Sequence, residues 1–328
     1  MQTTATLNPI LTAVANMFAR DPKGFVADRI APRFPAPLQS GTYYKFDIDD
    51  IANVPDLKAR APGAPYQRIQ TKVTNDTYSC ENYGLEAPAP DEERKKYAVY
   101  FDLDRVKTSR IVDTIRVNRE KRVVALLASL PSANVVVPWN DPSSNPKADV
   151  DAACEVIRQQ SGTSKAMITM TINNPTFLAL QTHNKLVDLF KYTAAGVLNE
   201  DKLAGYFGVR RVVVAYNVQA INHEGQAFSA SDILGNLAAF TTDVESVDLE
   251  VPCTLRTFIW TAFNDQITTL DSGGPATVGN GGAGAADTHS IFTYRDETVK
   301  ADIHRGDHYL AEKIVASGTG YCLNNCLG

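Results

Sequence analysis

At 328 residues the chain is long enough to bury about three quarters of its extended surface, so it folds without staples and has room for two or more subdomains. A composition of 44% hydrophobic and 21% charged residues excludes a disordered chain, and no apolar run reaches the roughly 18 residues that a membrane span needs. The net charge of -5 argues against a nucleic-acid binder that relies on a basic surface.

The N-terminus carries an amphipathic segment, Leu7 to Phe18, whose apolar run is broken by Thr12 and Asn16 and is preceded by no basic region. It does not read as a secretion signal. The five cysteines, Cys80, Cys154, Cys253, Cys322 and Cys326, are odd in number and scattered, so reduced thiols are expected. Pro32, Pro35 and Pro37 forbid a helix and pin the backbone extended. This predicts an arm that lies against some other surface.

Tyr43 to Ile48 has strand propensity, with Tyr44, Phe46 and Ile48 on one face, and Tyr66 to Tyr78 alternates again through Ile69 and Val73. Between them lies a polar stretch with Pro55, Pro62, Gly63 and Pro65. Two alternating strands around such a tip predict a long ribbon, which is only marginally stable alone and needs a neighbouring subunit. The carboxylates Asp47, Asp49 and Asp50 at this tip read as a solvated face or as salt-bridge partners of a neighbour's basic patch, ahead of a cation site.

A polar segment, Glu86 to Lys96, leads to the longest helical signal, Leu103 to Leu130, where Val106, Ile111, Ile115, Val123, Leu126 and Leu127 recur near helical spacing. Asp102 or Asp104 can cap its start and Pro131 supports its end. At 1.5 Å per residue such a helix is roughly 40 Å long and suited to act as a strut. Arginines and lysines decorate much of its remaining surface.

From Trp139 the pattern alternates between helix and strand. Helices are predicted from Asn145 to about Gln160, stopped by Gly162, from Pro175 to about His183, from Lys185 to Tyr192, and from Asn199 to Phe207, stopped by Gly208. Strands are predicted over Ala166 to Ile172, Arg210 to Tyr216, Leu237 to Phe240, Leu255 to Ala262 and within Ser290 to Tyr309. Asp271 to Ala286 holds six glycines and reads as a flexible exposed loop.

Chemistry is sparse. Gly205 to Gly208 precedes its strand, the wrong order for a phosphate cradle. His304 and His308 could share a metal ion only on a helix, and Gly306 between them predicts a turn at the surface or at a subunit contact. Cys322 and Cys326 are expected as free thiols, His183 as a buried hydrogen-bonded imidazole, and no serine sits in a hydrolase elbow. Neither catalytic residues, a metal site nor a cofactor is expected.

Three passages carry a family resemblance: Val117-Asn-Arg-Glu120 followed by Trp139-Asn-Asp-Pro-Ser-Ser-Asn-Pro146; Thr171 to Leu180 followed by His183 to Tyr192; and Leu203 to Asn217. These, with the order of arm, ribbon, long helix and mixed domain, resemble the major capsid proteins of tailed bacteriophages. The resemblance implies the α+β Hong Kong 97-type fold: an N-terminal arm (1–40), an extended β-hairpin loop with flanking peripheral-domain strands (41–99), a spine helix (100–134), an axial domain (135–265), and a glycine-rich loop with C-terminal strands returning to the peripheral domain (266–328).

It further implies a self-assembling protein, not an enzyme, whose pentamers and hexamers form an icosahedral shell around double-stranded DNA without sequence-specific binding. The implied partners are the portal protein, a separate scaffolding protein and a cement or decoration protein, with no membrane; the implied location is the virion capsid, assembled in the host cytoplasm. A compartment shell of the encapsulin kind or a tail or ring subunit is the alternative, followed by an enzyme with an α/β core. On this resemblance Tyr43, Phe46, Ile69 and Val73 bind the ribbon to an adjacent subunit. Arg110, Arg116, Arg119 and Arg122 meet a neighbour's carboxylates, such as Asp49, Asp50, Glu92 or Glu93, or face the enclosed DNA.

Overall fold

The computed structural model describes residues 6–7, 24–46, 56, 59–60, 62–63, 66, 68, 73–190, 198–222, 225–227, 229–242, 253–260 and 290–328. In chain order these contain β1 (Thr6–Leu7), α1 (Ala27–Ile30), β2 (Arg33–Ala36), β3 (Ser40–Phe46), β4 (Val73–Ser79), β5 (Glu81–Pro90), α2 (Asp91–Tyr97) and α3 (Leu103–Ala128). After β6 (Ser132–Asn134) come α4 (Pro146–Ser161), β7 (Ile168–Asn173), α5 (Asn174–Thr182), α6 (Asn184–Phe190) and α7 (Glu200–Phe207). The rest is strand: β8 (Arg211–Ala215), β9 (Val218–Ala220), β10 (Ala230–Asp232), β11 (Leu237–Thr242), β12 (Leu255–Trp260), β13 (Ser290–Asp296), β14 (Ala301–Ile314) and β15 (Gly320–Asn324).

The sequence signals account for the helices. Asp102 caps α3 by accepting from the Asp104 N–H, Asn173 and Asn199 cap α5 and α7 in the same way, and Gly162 and Gly208 take the left-handed conformation that ends α4 and α7. Two sheets organise the rest. One runs β6-β15-β11-β7-β8; the other runs β1-β13-β14-β12-β2, with β5 paired to β14.

The five-stranded sheet is buried on both faces, and strand alternation assigns the sides. Met170, Val212, Val214 and Phe240 share a core with Trp139, Ile157, Leu180 and Phe207 from the helical layer. Val213 and Ala239 point the other way, onto Ile30, Val123 and Leu127. Helix α3 therefore covers this sheet with its C-terminal half, while Ile111, Val112 and Ile115 of its N-terminal half pack on Ile291 of the second sheet.

Four expectations need correction. The proline-rich stretch after residue 30 does not reach away as an arm: β2 pairs in parallel with β12 of the same chain, at the sheet edge where Pro35 is tolerated. The polar segment from Glu86 contains the end of a ten-residue strand, β5. The histidine pair lies inside β14, not in a turn. The expected domain division also mixes at its ends, because β12 joins the sheet of β14 while the last strand, β15, lies between β6 and β11.

Gly306 explains the misread turn. A Cβ there would sit 2.6 Å from Ile111 Cγ2 and 3.2 Å from Ile291 Cδ1, so the glycine lets the strand approach the long helix closely. Gly306→Ala is expected to lower unfolding stability by about 1–3 kcal/mol, measured by urea denaturation, and the Gly306→Ala/Ile111→Ala double variant is expected to lose less than the sum of the two single losses.

Candidate assembly interface

The candidate contact residues fall into two groups, those committed to this chain's own interior and those left on its surface. On α3 the positions Val112, Arg116, Arg119, Glu120, Val123 and Leu127 are buried, and their spacing of three and four residues makes one stripe. Two arginines and a glutamate therefore lie in the stripe that faces the core. Arg119 donates from Nη1 to Asp28 Oδ1 at 2.6 Å and from Nη2 to Thr257 Oγ1 at 3.4 Å. The Arg116 guanidinium lies 6.0 Å from the Phe25 ring centroid.

Glu120 completes the arrangement. Its carboxylate accepts from the Val26 N–H at 3.1 and 3.2 Å, and Ala27 N–H and the Asn217 side chain also bond to it. The two backbone N–H groups are open donors at the start of α1. Burial pushes the Glu120 carboxyl up to about 7, against the opposing pull of those hydrogen bonds and of Arg119. The segment read as an arm is thus clamped to the long helix at Asp28 and at the start of α1.

Arg122 is also spoken for within the chain. Its Nε and Nη2 bond the Glu312 carboxylate at 3.0–3.2 Å, and its guanidinium stacks 3.9 Å over the Tyr83 ring, tying α3 to β14 and β5. Arg116, Arg119 and Arg122 therefore do not present free charges to a neighbour, because each lies where α3 packs on its own chain. Arg110 is exposed, and so are Glu92 and Glu93 on α2.

The ribbon strands β3 and β4 pair antiparallel from Ser40 opposite Ser79 to Phe46 opposite Val73. At its base the ribbon turns Tyr43 inward, although that residue was expected to bind an adjacent subunit. Tyr43 is buried while Tyr44 is 69% exposed: Tyr43 and Tyr78 pack on Phe258 with ring centroids at 5.1 and 4.6 Å. Burial and the Asp76 carboxylate, which accepts from the Tyr43 hydroxyl at 3.2 Å, hold that phenol well above its ordinary value. Tyr43 thus belongs to this chain's core, whereas Val73 is 48% exposed. Asp47, Asp49, Asp50 and Ile69, the segment after Leu7 to Phe18, and the glycine-rich stretch 271–286 lie outside the described residues.

A surface feature escaped the sequence reading. Val99 and Tyr100, just ahead of α3, are 87% and 81% exposed, and Tyr97 stacks on Phe101 at 5.1 Å beside them. The run Tyr97 to Phe101 between two charged stretches was the available signal.

The motif residues in the helical layer are structural. Trp139 is fully buried and donates from Nε1 to Asp149 Oδ2 at 2.9 Å. Ser144 Oγ lies 3.0 Å from His183 Nε2 and 2.8 Å from the Asp141 carbonyl, to which the hydroxyl donates. Burial lowers the His183 pKa. His304 bridges Asp104 Oδ1 and Thr293 Oγ1, each at 3.1 Å. Among the described residues no three His, Cys, Asp or Glu side chains cluster as a metal site. All five cysteines are buried and none forms a disulfide, and burial pushes Cys322 and Cys326 up to about 12, far from a reactive thiolate.

No family model matches the chain. The major capsid protein of Pseudomonas phage JBD67 is 24% identical over 197 residues, which span 57% of this chain and 60% of that protein. The match thus covers less than two thirds of this relative's length. The crystal structure of a phage-related protein from Bordetella bronchiseptica RB50 superposes with a TM-score of 0.68 at 18% identity, over 98% of both chains. The capsid structure of cyanophage P-SCSP1u gives 0.55 at 9% identity, over 90% of this chain and 86% of that one. The class follows: this chain has the α+β Hong Kong 97-type fold of phage capsid proteins. In sequence it is a relative of a phage major capsid protein.

The Glu120 clamp has a pH signature. The folded chain holds this proton to about 7 while an unfolded glutamate releases it near 4.5, so stability is lost as pH rises through that window and is level above it. The loss is on the order of 3 kcal/mol. Glu120→Gln is expected to flatten the slope, read by urea unfolding at about pH 5 and about pH 8; an equal slope in the variant places the titration elsewhere.

Proposed function

We propose that this protein is the major shell subunit of a tailed bacteriophage, with pentamers and hexamers of the one chain closing an icosahedral capsid around double-stranded DNA. The observation that supports this best is the agreement of two independent likenesses: a fold shared with phage capsid proteins over nearly the whole chain, and a sequence relative that is a phage major capsid protein. The physical features point the same way. A shell subunit needs a rigid body and projecting parts that acquire their burial from neighbours.

In this reading α3 and the two sheets are the rigid body. The exposed Val73, Glu92, Glu93 and Arg110, together with Phe46, Asp49, Asp50 and Ile69, supply contacts to adjacent copies. The role is structural, with no catalytic step assigned to any residue. A portal protein, a separate scaffolding protein and a cement protein are the partners this function calls for, and the virion capsid, assembled in the host cytoplasm, is its place. The net charge of -5 suits an inner surface that encloses DNA without gripping it.

The test is electron microscopy with mass determination on the purified chain, alone and beside the products of neighbouring genes. Closed icosahedral particles tens of nanometres across are expected. A chain that remains monomeric or forms only small rings in assembly-promoting salt overturns the proposal.

A further inference from the structure

Helix α2 is placed by charge and not by burial. It has seven residues, none of them buried, and a helix that short does not hold itself together in water. Its Asp91 carboxylate accepts from Arg295 Nη1 and Nη2 at 2.7 and 2.6 Å. Its Arg94 donates from Nη2 to Asp104 at 2.8 Å and pairs from Nη1 with Asp302 at 2.7 Å. Asp91 and Arg94, one helical turn apart, therefore define the face of α2 that meets its own chain.

The other face is turned outward. Glu92 and Glu93 in the first turn and Lys95 and Lys96 in the last are exposed. The chain then makes a fixed turn: the Tyr100 and Phe101 N–H groups both donate to the Tyr97 carbonyl, at 2.8 and 3.0 Å, and the Tyr97 and Phe101 rings stack. That turn holds Val99 and Tyr100 almost wholly in solvent. Apolar side chains on a segment already fixed lose less entropy when a partner covers them than those on a loose one.

The charges say which partner fits. The outward face carries two carboxylates and two ammonium groups, so a surface of one sign gains against one half of it and loses against the other. A second α2 laid antiparallel sets each acidic turn against the other's basic turn and matches all four groups at once, whereas a parallel one sets like against like. Antiparallel elements of identical copies are related by a two-fold axis, which makes such a contact isologous.

We propose that α2 and the turn after it form a two-fold contact with the same elements of a second copy of this chain, Glu92 and Glu93 of each facing Lys95 and Lys96 of the other beside Val99 and Tyr100. This rests on the shell reading, in which copies of the one chain surround each other. The ion pairs of Asp91 and Arg94 hold α2 in place beforehand, so the contact forms without ordering a new element.

The experiment is the assembly of full-length variants, read by light scattering and electron microscopy, with thermal melting of each isolated subunit as the control for folding. Glu92→Lys/Glu93→Lys and Lys95→Glu/Lys96→Glu each give the outward face a single sign, and each is expected to raise the concentration needed for assembly at least about tenfold. An equal mixture of the two is expected to assemble at the wild-type concentration, because a basic face then meets an acidic one. Val99→Ser/Tyr100→Ser is expected to weaken assembly and to leave the melting temperature of the subunit unchanged, since both side chains are exposed. Normal particles from both charge variants and from Val99→Ser/Tyr100→Ser overturn the contact and leave the shell reading standing. Charge variants that fail to assemble both singly and mixed overturn the choice of a second α2 as occupant. A wild-type chain monomeric at every concentration overturns both readings.

Discussion

Helix α3 spans 26 residues, roughly 39 Å, and it is buried against a different sheet at each end. Ile111 and Ile115 meet the sheet of β13 and β14; Val123 and Leu127 meet the sheet of β8 and β11. The relative placement of the two sheets therefore depends on one helix staying straight and in register. Apolar packing alone permits small slips along such a helix, whereas charged groups with fixed partners do not. Arg119 and Glu120 on α1, Arg122 on Glu312, and Asp104 on His304 fix that register.

Burying these charges is costly unless each is paired and hydrogen-bonded. The chain meets this condition with partners distant in sequence. Asp28 and Thr257 receive Arg119, and the start of α1 receives Glu120. The segment around α1 is thereby made part of the rigid body. Among the described residues of the ribbon, Tyr43 and Tyr78 at its base join the core of Phe258 and Ala36. A rigid body from whose core a two-stranded ribbon starts has the form expected of a subunit that completes its burial in an assembly.

Much of the fold was legible because its signals are local. A capping Asp102, a left-handed Gly162 and Gly208, and runs such as Arg211–Ala215 act within a few residues, so the helices and most strands follow from short windows. β5 was obscured by Pro88 and Pro90, which disfavour a strand everywhere except at an edge, and edge position is not a local property. Gly306 was misread for a similar reason. A glycine serves a turn or a close approach, and only the opposing Ile111 distinguishes them.

The candidate contacts divide along the same line. By itself the sequence determined the long helix, the two ribbon strands, the cap and stop residues, and through its quoted passages the resemblance to phage capsid proteins that the fold upholds. Only the tertiary structure decided which of the charged and aromatic residues face inward. Arg110 and Arg119 are the same residue type on the same helix, and the sequence reading placed both on its outer surface. It took Asp28, 91 residues away in sequence, to make the burial of Arg119 affordable, because a buried charge is tolerated only where the folded chain brings a partner to it.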